Sequence, residues 1–154
     1  MNRCAPDVAL LVPVPLVHVE DGAEVCARQG KVAFGSRAWQ LFRELDALRH
    51  DRPVEVYIYA SHSPGTTCDV TWRARYVRHV QSDGGAHPEG MRLRPPSTGF
   101  HPSDNRGHWA VFWEVEELER LPEPIAIGGL QGLGKPTAYA RSFVPEGPVL
   151  IERP

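Results

Sequence analysis

A chain of 154 residues and 17.1 kDa with 42% hydrophobic residues has the size of one domain with one ordinary core, so residues 1–154 read as a single unit. A net charge of -2 excludes a protein that coats nucleic acid with its whole surface, and it leaves room for a local basic patch. Cys4, Cys26 and Cys68 are odd in number and far apart, which excludes a disulfide framework and a CxxC zinc site and points to a reducing cytoplasm.

The apolar run over residues 8–19 is interrupted by Pro13, Pro15 and His18. It is too short and too broken for a membrane span, and no signal-cleavage pattern follows it. Residues 9–14 read as a first strand, with Pro13 placing it at an edge or ending it. Glu20-Asp21-Gly22 reads as a turn. Residues 25–34 are ambiguous, with a short strand expected at 31–34 between Gly30 and Gly35. Ser36 then has the chemistry of an N-cap, and Ala38, Leu41, Phe42, Leu45 and Leu48 follow helical spacing, so one main helix is expected from there.

Residues 54–80 hold two alternating strands. Val54, Val56, Ile58 and Ala60 share one face of the first; Val70, Trp72, Ala74 and Tyr76 share one face of the second, opposite Thr71, Arg73 and Arg75. Period 2 marks half-buried strands. A polar loop, residues 61–68, joins them. Residues 82–107 carry so many glycines and prolines that a long irregular loop is expected. Residues 108–115 form a further strand with Trp109, Val111, Trp113 and Val115 on one face. A short helical turn is expected at 116–121, and residues 148–151 supply a closing strand. No repeat is evident. The expected class is α+β, a curved sheet or small barrel with one main helix.

Residues 129–135 match most of a phosphate-binding loop, but Pro136 stands where a Ser or Thr must offer its hydroxyl to magnesium, so a glycine-rich turn is the better reading. His87, His101, His108 and Asp104 lie in or beside the long loop without the spacing of a metal motif. No metal and no cofactor is expected. Cys68 and His62 have the chemistry of a nucleophile and a base, although a lone Cys at a strand edge is more often a small buried hydrophobe. Arg73, Arg75, Arg78, Arg92, Arg94 and Arg106 outnumber Asp83, Glu89 and Asp104 in the same region. Guanidinium forks pair with phosphate oxygens, so these six are the candidate contacts to a nucleic-acid backbone, weighed evenly against a solvated strand face. Trp39, Trp72, Trp109, Trp113, Tyr57 and Tyr59 supply aromatic surface, most of it for the core, with one or two available to stack on a base.

The order of these elements, with residues 56–61 (Val-Tyr-Ile-Tyr-Ala-Ser) followed by 70–77 (Val-Thr-Trp-Arg-Ala-Arg-Tyr-Val), resembles the PUA-like superfamily, especially the EVE and ASCH domains, over residues 30–121. The resemblance implies a pseudo-barrel with a pocket between barrel and helix that holds a modified base or, in some ASCH proteins, hydrolyses an amide on a modified nucleoside. On that pattern Tyr59, Ser61 and His62 stand at the pocket lip, Trp72 on its wall and Trp39 opposite. The expected function is therefore a cytoplasmic nucleic-acid-binding module, for DNA or RNA, that recognises a base in an aromatic-lined pocket while arginines hold the backbone. The alternatives are a small hydrolase acting on a modified nucleoside or related amide, with His62 or a nearby Lys or Glu as acid or base, and a non-catalytic protein-interaction domain. The hydrolase lacks a clear carboxylate pair, and no lysine lies between Lys31 and Lys135.

Overall fold

In a computed structural model, which describes residues 3–61, 69–100 and 104–154, the chain builds six strands, two helices and one 3-10 turn. They run β1 (Val8–Pro15), α1 (Leu16–Gln29), β2 (Val32–Ser36), α2 (Trp39–Arg49), β3 (Val54–Ser61), β4 (Asp69–Gln81), the 3-10 turn (Pro96–Phe100), β5 (Val111–Ala126) and β6 (Val149–Glu152). The strands form one mixed sheet in the order β2-β5-β4-β3-β1-β6. Of these six strands only β1 and β3 pair in parallel, joined by the crossover through α1, β2 and α2.

The sheet is open, not the closed pseudo-barrel expected. It curls nonetheless. The ends of β1 and β2, separated by three strands, line one cavity, which occupies the seam where a barrel would close. Both helices pack on one face of the sheet. Val19, Val25 and Cys26 of α1 and Phe42 and Leu45 of α2 join Val56, Ile58, Trp72, Tyr76 and Trp113 in the main core. Tyr59, Val70, Ile127, Leu130 and Ile151 form a second core on the opposite face, under the segment after β5.

A second helix, α1, occupies the stretch read as a turn. Pro15 stands immediately before it, where a proline costs the helix no hydrogen bond. Gly22 is buried inside it, and a Cβ there would come within 2.8 Å of the Phe34 ring. Close approach to β2, not a chain reversal, accounts for that glycine. The helix stops at Gly30, whose φ of +84° lets its N–H reach the Cys26 carbonyl at 2.9 Å. Ser36 lies at the end of β2. Its hydroxyl accepts the Ala38 N–H at 3.0 Å, while Ala38 itself is the cap residue of α2.

Prolines fall where the ladder is one-sided. β6 covers β1 only as far as Leu11, so Pro13 has a partner strand on one side alone. β2 covers β5 only as far as Val115, and beyond it β5 runs on through Pro122 and Pro124 as an edge. The helical turn expected at 116–121 is therefore strand. The 54–61, 69–80 and 108–115 segments share the one sheet, although Trp109 precedes β5. A bulge between Val70 and Trp72 turns Val70 to the opposite face from Trp72, which strict alternation placed together. No helix among the described residues is long and apolar enough to cross a membrane.

Candidate functional site

The cavity in the seam measures about 460 Å³, within the range of roughly 300–1,000 Å³ usual for small-molecule sites. Its walls are apolar: Val12, Pro13 and Val14 from β1, Phe34 from β2, and the rings of Trp109 and Trp113. Polar groups enter from few directions, chiefly His18 near the start of α1, Ser36, and Asp104 and His108 from the long loop. Arg37 and Glu146 stand on the exposed side.

Arg94 ties together the described residues that roof the cavity. Arg94 is 2% exposed and donates to the Ala33 carbonyl at 2.8 Å, the Asp104 carbonyl at 3.1 Å and the Asn105 side chain at 3.2 Å. Its guanidinium also lies over the Phe112 ring. Burial pulls its pKa down to about 10, still charged at neutral pH. The expected backbone contact at Arg94 is thus spent inside the fold, where it holds Asp104 at the cavity wall.

Trp109 is pinned against β2. A Cβ on Gly35 would fall 2.4–2.6 Å from the Trp109 ring, so only glycine lets the indole lie flat on that backbone. The ring meets His108 edge-on at 4.2 Å. Its Nε1 is buried and has no hydrogen-bond acceptor among the described residues. Such orphan donors are rare in folded proteins and cost roughly 1–3 kcal/mol.

His18 Nδ1 lies 2.7 Å from Ser97 Oγ, and its Nε2 lies 3.9 Å from Asp104 Oδ2. The order Ser, His, Asp has the look of a hydrolytic triad. Ser97, however, is buried and does not line the cavity, and its N–H donates to Asp21. These bonds dock the 3-10 turn onto the first turns of α1 and orient the His18 ring.

The expected pocket residues do not meet in this cavity. Tyr59 is buried in the second core, and its hydroxyl donates to the Pro145 carbonyl. Trp72 is buried in the main core on the other face, with the Arg120 guanidinium over its ring. Ser61, half-buried, ends β3 opposite Pro15. Trp39 stands exposed at the start of α2, next to the lining residue Ala38. His62, Cys68 and His101 lie outside the described residues.

Most of the arginine row is paired. Arg73 meets Glu119 at 3.3 Å, Arg75 meets Glu117 at 3.2 Å, and Arg92 meets Glu89 at 2.6 Å. Arg78 meets Glu114 at 2.9 Å. Glu114 is fully buried and is also held by Lys31 at 2.8 Å and His87 at 2.9 Å. Burial alone would raise its carboxyl, but the bonds from His87, Arg78 and Lys31 outweigh burial and hold it at about 2. His87, Glu89 and Glu114 cluster closely enough to ligate a metal, yet the Glu114 oxygens already serve three basic groups. Arg37 and Arg106, by contrast, are exposed and have no ion pair among the described residues.

The glycine-rich stretch at 129–135 forms turns against β6, with the Leu133 N–H on the Leu150 carbonyl, and no helix follows it among the described residues. It therefore lacks the helix N-terminus on which a phosphate-binding loop depends. Compared with protein-family models, curated proteins and solved structures, the chain gives no match.

Proposed function

We propose that this chain is a nucleic-acid-binding module that takes a base, modified or not, into the cavity lined by β1, β2, Arg94, Thr98, Asp104, His108 and Trp109. The observation that carries this reading is the cavity itself: aromatic and aliphatic walls with a fixed indole, and a polar side formed by the Asp104 carboxylate with the His18 and His108 imidazoles. A planar heteroaromatic ring suits it. Apolar walls take the ring faces, while Asp104 accepts an N–H from the base edge and His18 contacts the same edge. The Trp109 indole, held flat against Gly35, gives the site a fixed aromatic face.

Arg37 lines the cavity, and Arg106 lies two residues from both Asp104 and His108, so each can meet a phosphate next to a bound base. The four arginines paired on β4 and in the loop would first have to give up a carboxylate. The resemblance to the PUA-like superfamily points to the same ligand class, although it implied a pocket beside Trp72 and the cavity lies at the open seam of the sheet.

Ala38→Phe is the direct test, because Ala38 lines the cavity and caps α2 through its backbone alone. The ring should fill the cavity and weaken oligonucleotide binding at least tenfold in a calorimetric titration, with the unfolding midpoint unchanged. Wild-type affinity in this variant would remove the base from the cavity.

A further inference from the structure

The polar side of the cavity holds a titratable pair. His18 and Asp104 both line the cavity, their side chains are 14% and 17% exposed, and His18 Nε2 lies 3.9 Å from Asp104 Oδ2. That separation is within reach of an ion pair and too long for a hydrogen bond. The carboxylate therefore feels any charge on the ring and still has room for an N–H from a ligand. Behind the ring, Ser97 Oγ lies 2.7 Å from His18 Nδ1 and 3.5 Å from the Val17 carbonyl oxygen. A hydroxyl is donor and acceptor at once. It donates to Nδ1 of a neutral imidazole; to an imidazolium it presents a lone pair and turns its own proton to the Val17 carbonyl. Ser97 is buried and anchored by its N–H on Asp21 at 3.0 Å, so the ring keeps its place in either charge state.

Resting on the reading that the ligand donates an N–H to Asp104, we infer that Ser97, His18 and Asp104 form a proton switch that weakens binding in acid. His18 is the group that titrates, and Ser97 is its positioning residue. While His18 is neutral, Asp104 is a charged acceptor, and hydrogen bonds to ionised groups are about twice as strong as neutral ones. Once His18 is protonated, the imidazolium pairs with the same carboxylate and competes with the ligand for it. The ligand thus favours the form with one proton fewer, so affinity falls as pH falls through the histidine range, between about pH 8 and 5. The other charges around the pair leave this sign unchanged. Asp21 on α1 is held by the Ser97 N–H, Arg94 is held by the Ala33 and Asp104 carbonyls and Asn105, and Arg37 and Glu146 stand on the exposed side. β1, β2 and β5 bring only apolar residues and the Ser36 hydroxyl to the wall. Among the described lining residues, His108 is the one other group that titrates in the same range.

Two measurements test the switch. In the unliganded protein, a pH titration by magnetic resonance should show the Asp104 carboxylate carbon shifting in the same step as the His18 ring protons. Ser97→Ala should move that step to lower pH, because the imidazolium loses the stronger bond, and Ser97→Thr should restore it. An unmoved step in folded Ser97→Ala would remove Ser97 from the switch. Calorimetric titration with a mixed-sequence single-stranded oligonucleotide of about ten nucleotides should then give roughly tenfold weaker binding at about pH 5.5 than at about pH 7.5, at constant salt. His18→Gln should bind equally at the two values, whatever its affinity, while His108→Gln should keep the wild-type ratio. Equal wild-type affinity at both values, or a ratio that persists in His18→Gln, would overturn the switch and leave the base in the cavity. No binding at either pH would defeat both readings.

Discussion

The β4–β5 ladder and the cavity mouth are both rich in arginine and tryptophan, and they use them in opposite ways. On the ladder the charges are matched across strands: β5 brings Glu114, Glu117 and Glu119 to Arg78, Arg75 and Arg73. Trp72 is sealed in the core there. At the mouth the arginines have no carboxylate partner among the described residues, and the Trp109 indole lacks an acceptor there. Pairing that is complete reads as architecture. Pairing left incomplete beside a cavity reads as binding capacity.

The largest difference between the two regions should appear in stability. Trp72→Ala should cost about 3–5 kcal/mol in denaturant unfolding and leave oligonucleotide binding by the folded protein unchanged. A well-folded Trp72→Ala variant that loses binding would move the site back to the sheet. Glu114→Gln should cost roughly 1–3 kcal/mol, because the buried amide replaces an acceptor oxygen by an NH2 and leaves part of the bonding to Lys31, Arg78 and His87 unmade.

Acid should act through the same carboxylate. Glu114 falls from an ordinary 4.5 to about 2 in the folded protein, so its contribution is complete above pH 4.5 and is lost as pH falls toward 2. On the order of 3 kcal/mol rides on that window. Asp46 is likewise lowered to about 2, since bonds from His79, Tyr76 and Arg49 outweigh its burial. It adds a smaller share, being about a third exposed. Urea unfolding at stepped pH should show the decline, and Glu114→Gln should flatten it.

The smallest effects separate the arginines. Arg73→Ala and Arg75→Ala should each change stability by less than about 1 kcal/mol and leave the salt dependence of binding unaltered. Arg37→Ala with Arg106→Ala should flatten the slope of log affinity against log salt by roughly two, since each of these arginines neutralises one phosphate and releases its counterion. The reverse pattern would restore the ladder as the nucleic-acid surface.

Much of this architecture was legible in the sequence, because alternation over 54–61 and 70–80 and the helical stripe at Phe42 and Leu45 report burial directly. α1 was hidden because Gly22 reads as a turn residue when its neighbour Phe34, twelve positions away, is not known to press on it. The bulge at Thr71 leaves no mark in composition, so Val70 and Trp72 could not be told apart by face. The arginine cluster was visible while its partners were not: the glutamates of β5 lie some forty residues away and meet it only through strand register. The cavity was least legible of all. It joins β1, β2 and the long loop, and its two signals, the Gly35–Trp109 contact and the unsatisfied indole, exist only in three dimensions.

The four tryptophans allow one decisive reading. Each indole N–H gives its own signal in a proton–nitrogen correlation spectrum, and a titration with single-stranded oligonucleotide reports which ones sense the ligand. The signals of Trp109 and Trp113, which line the cavity, should move with saturating amplitude, while that of Trp72 stays in place. A shift confined to Trp72, or four signals unmoved at saturating oligonucleotide, would contradict a base bound in the seam of the sheet.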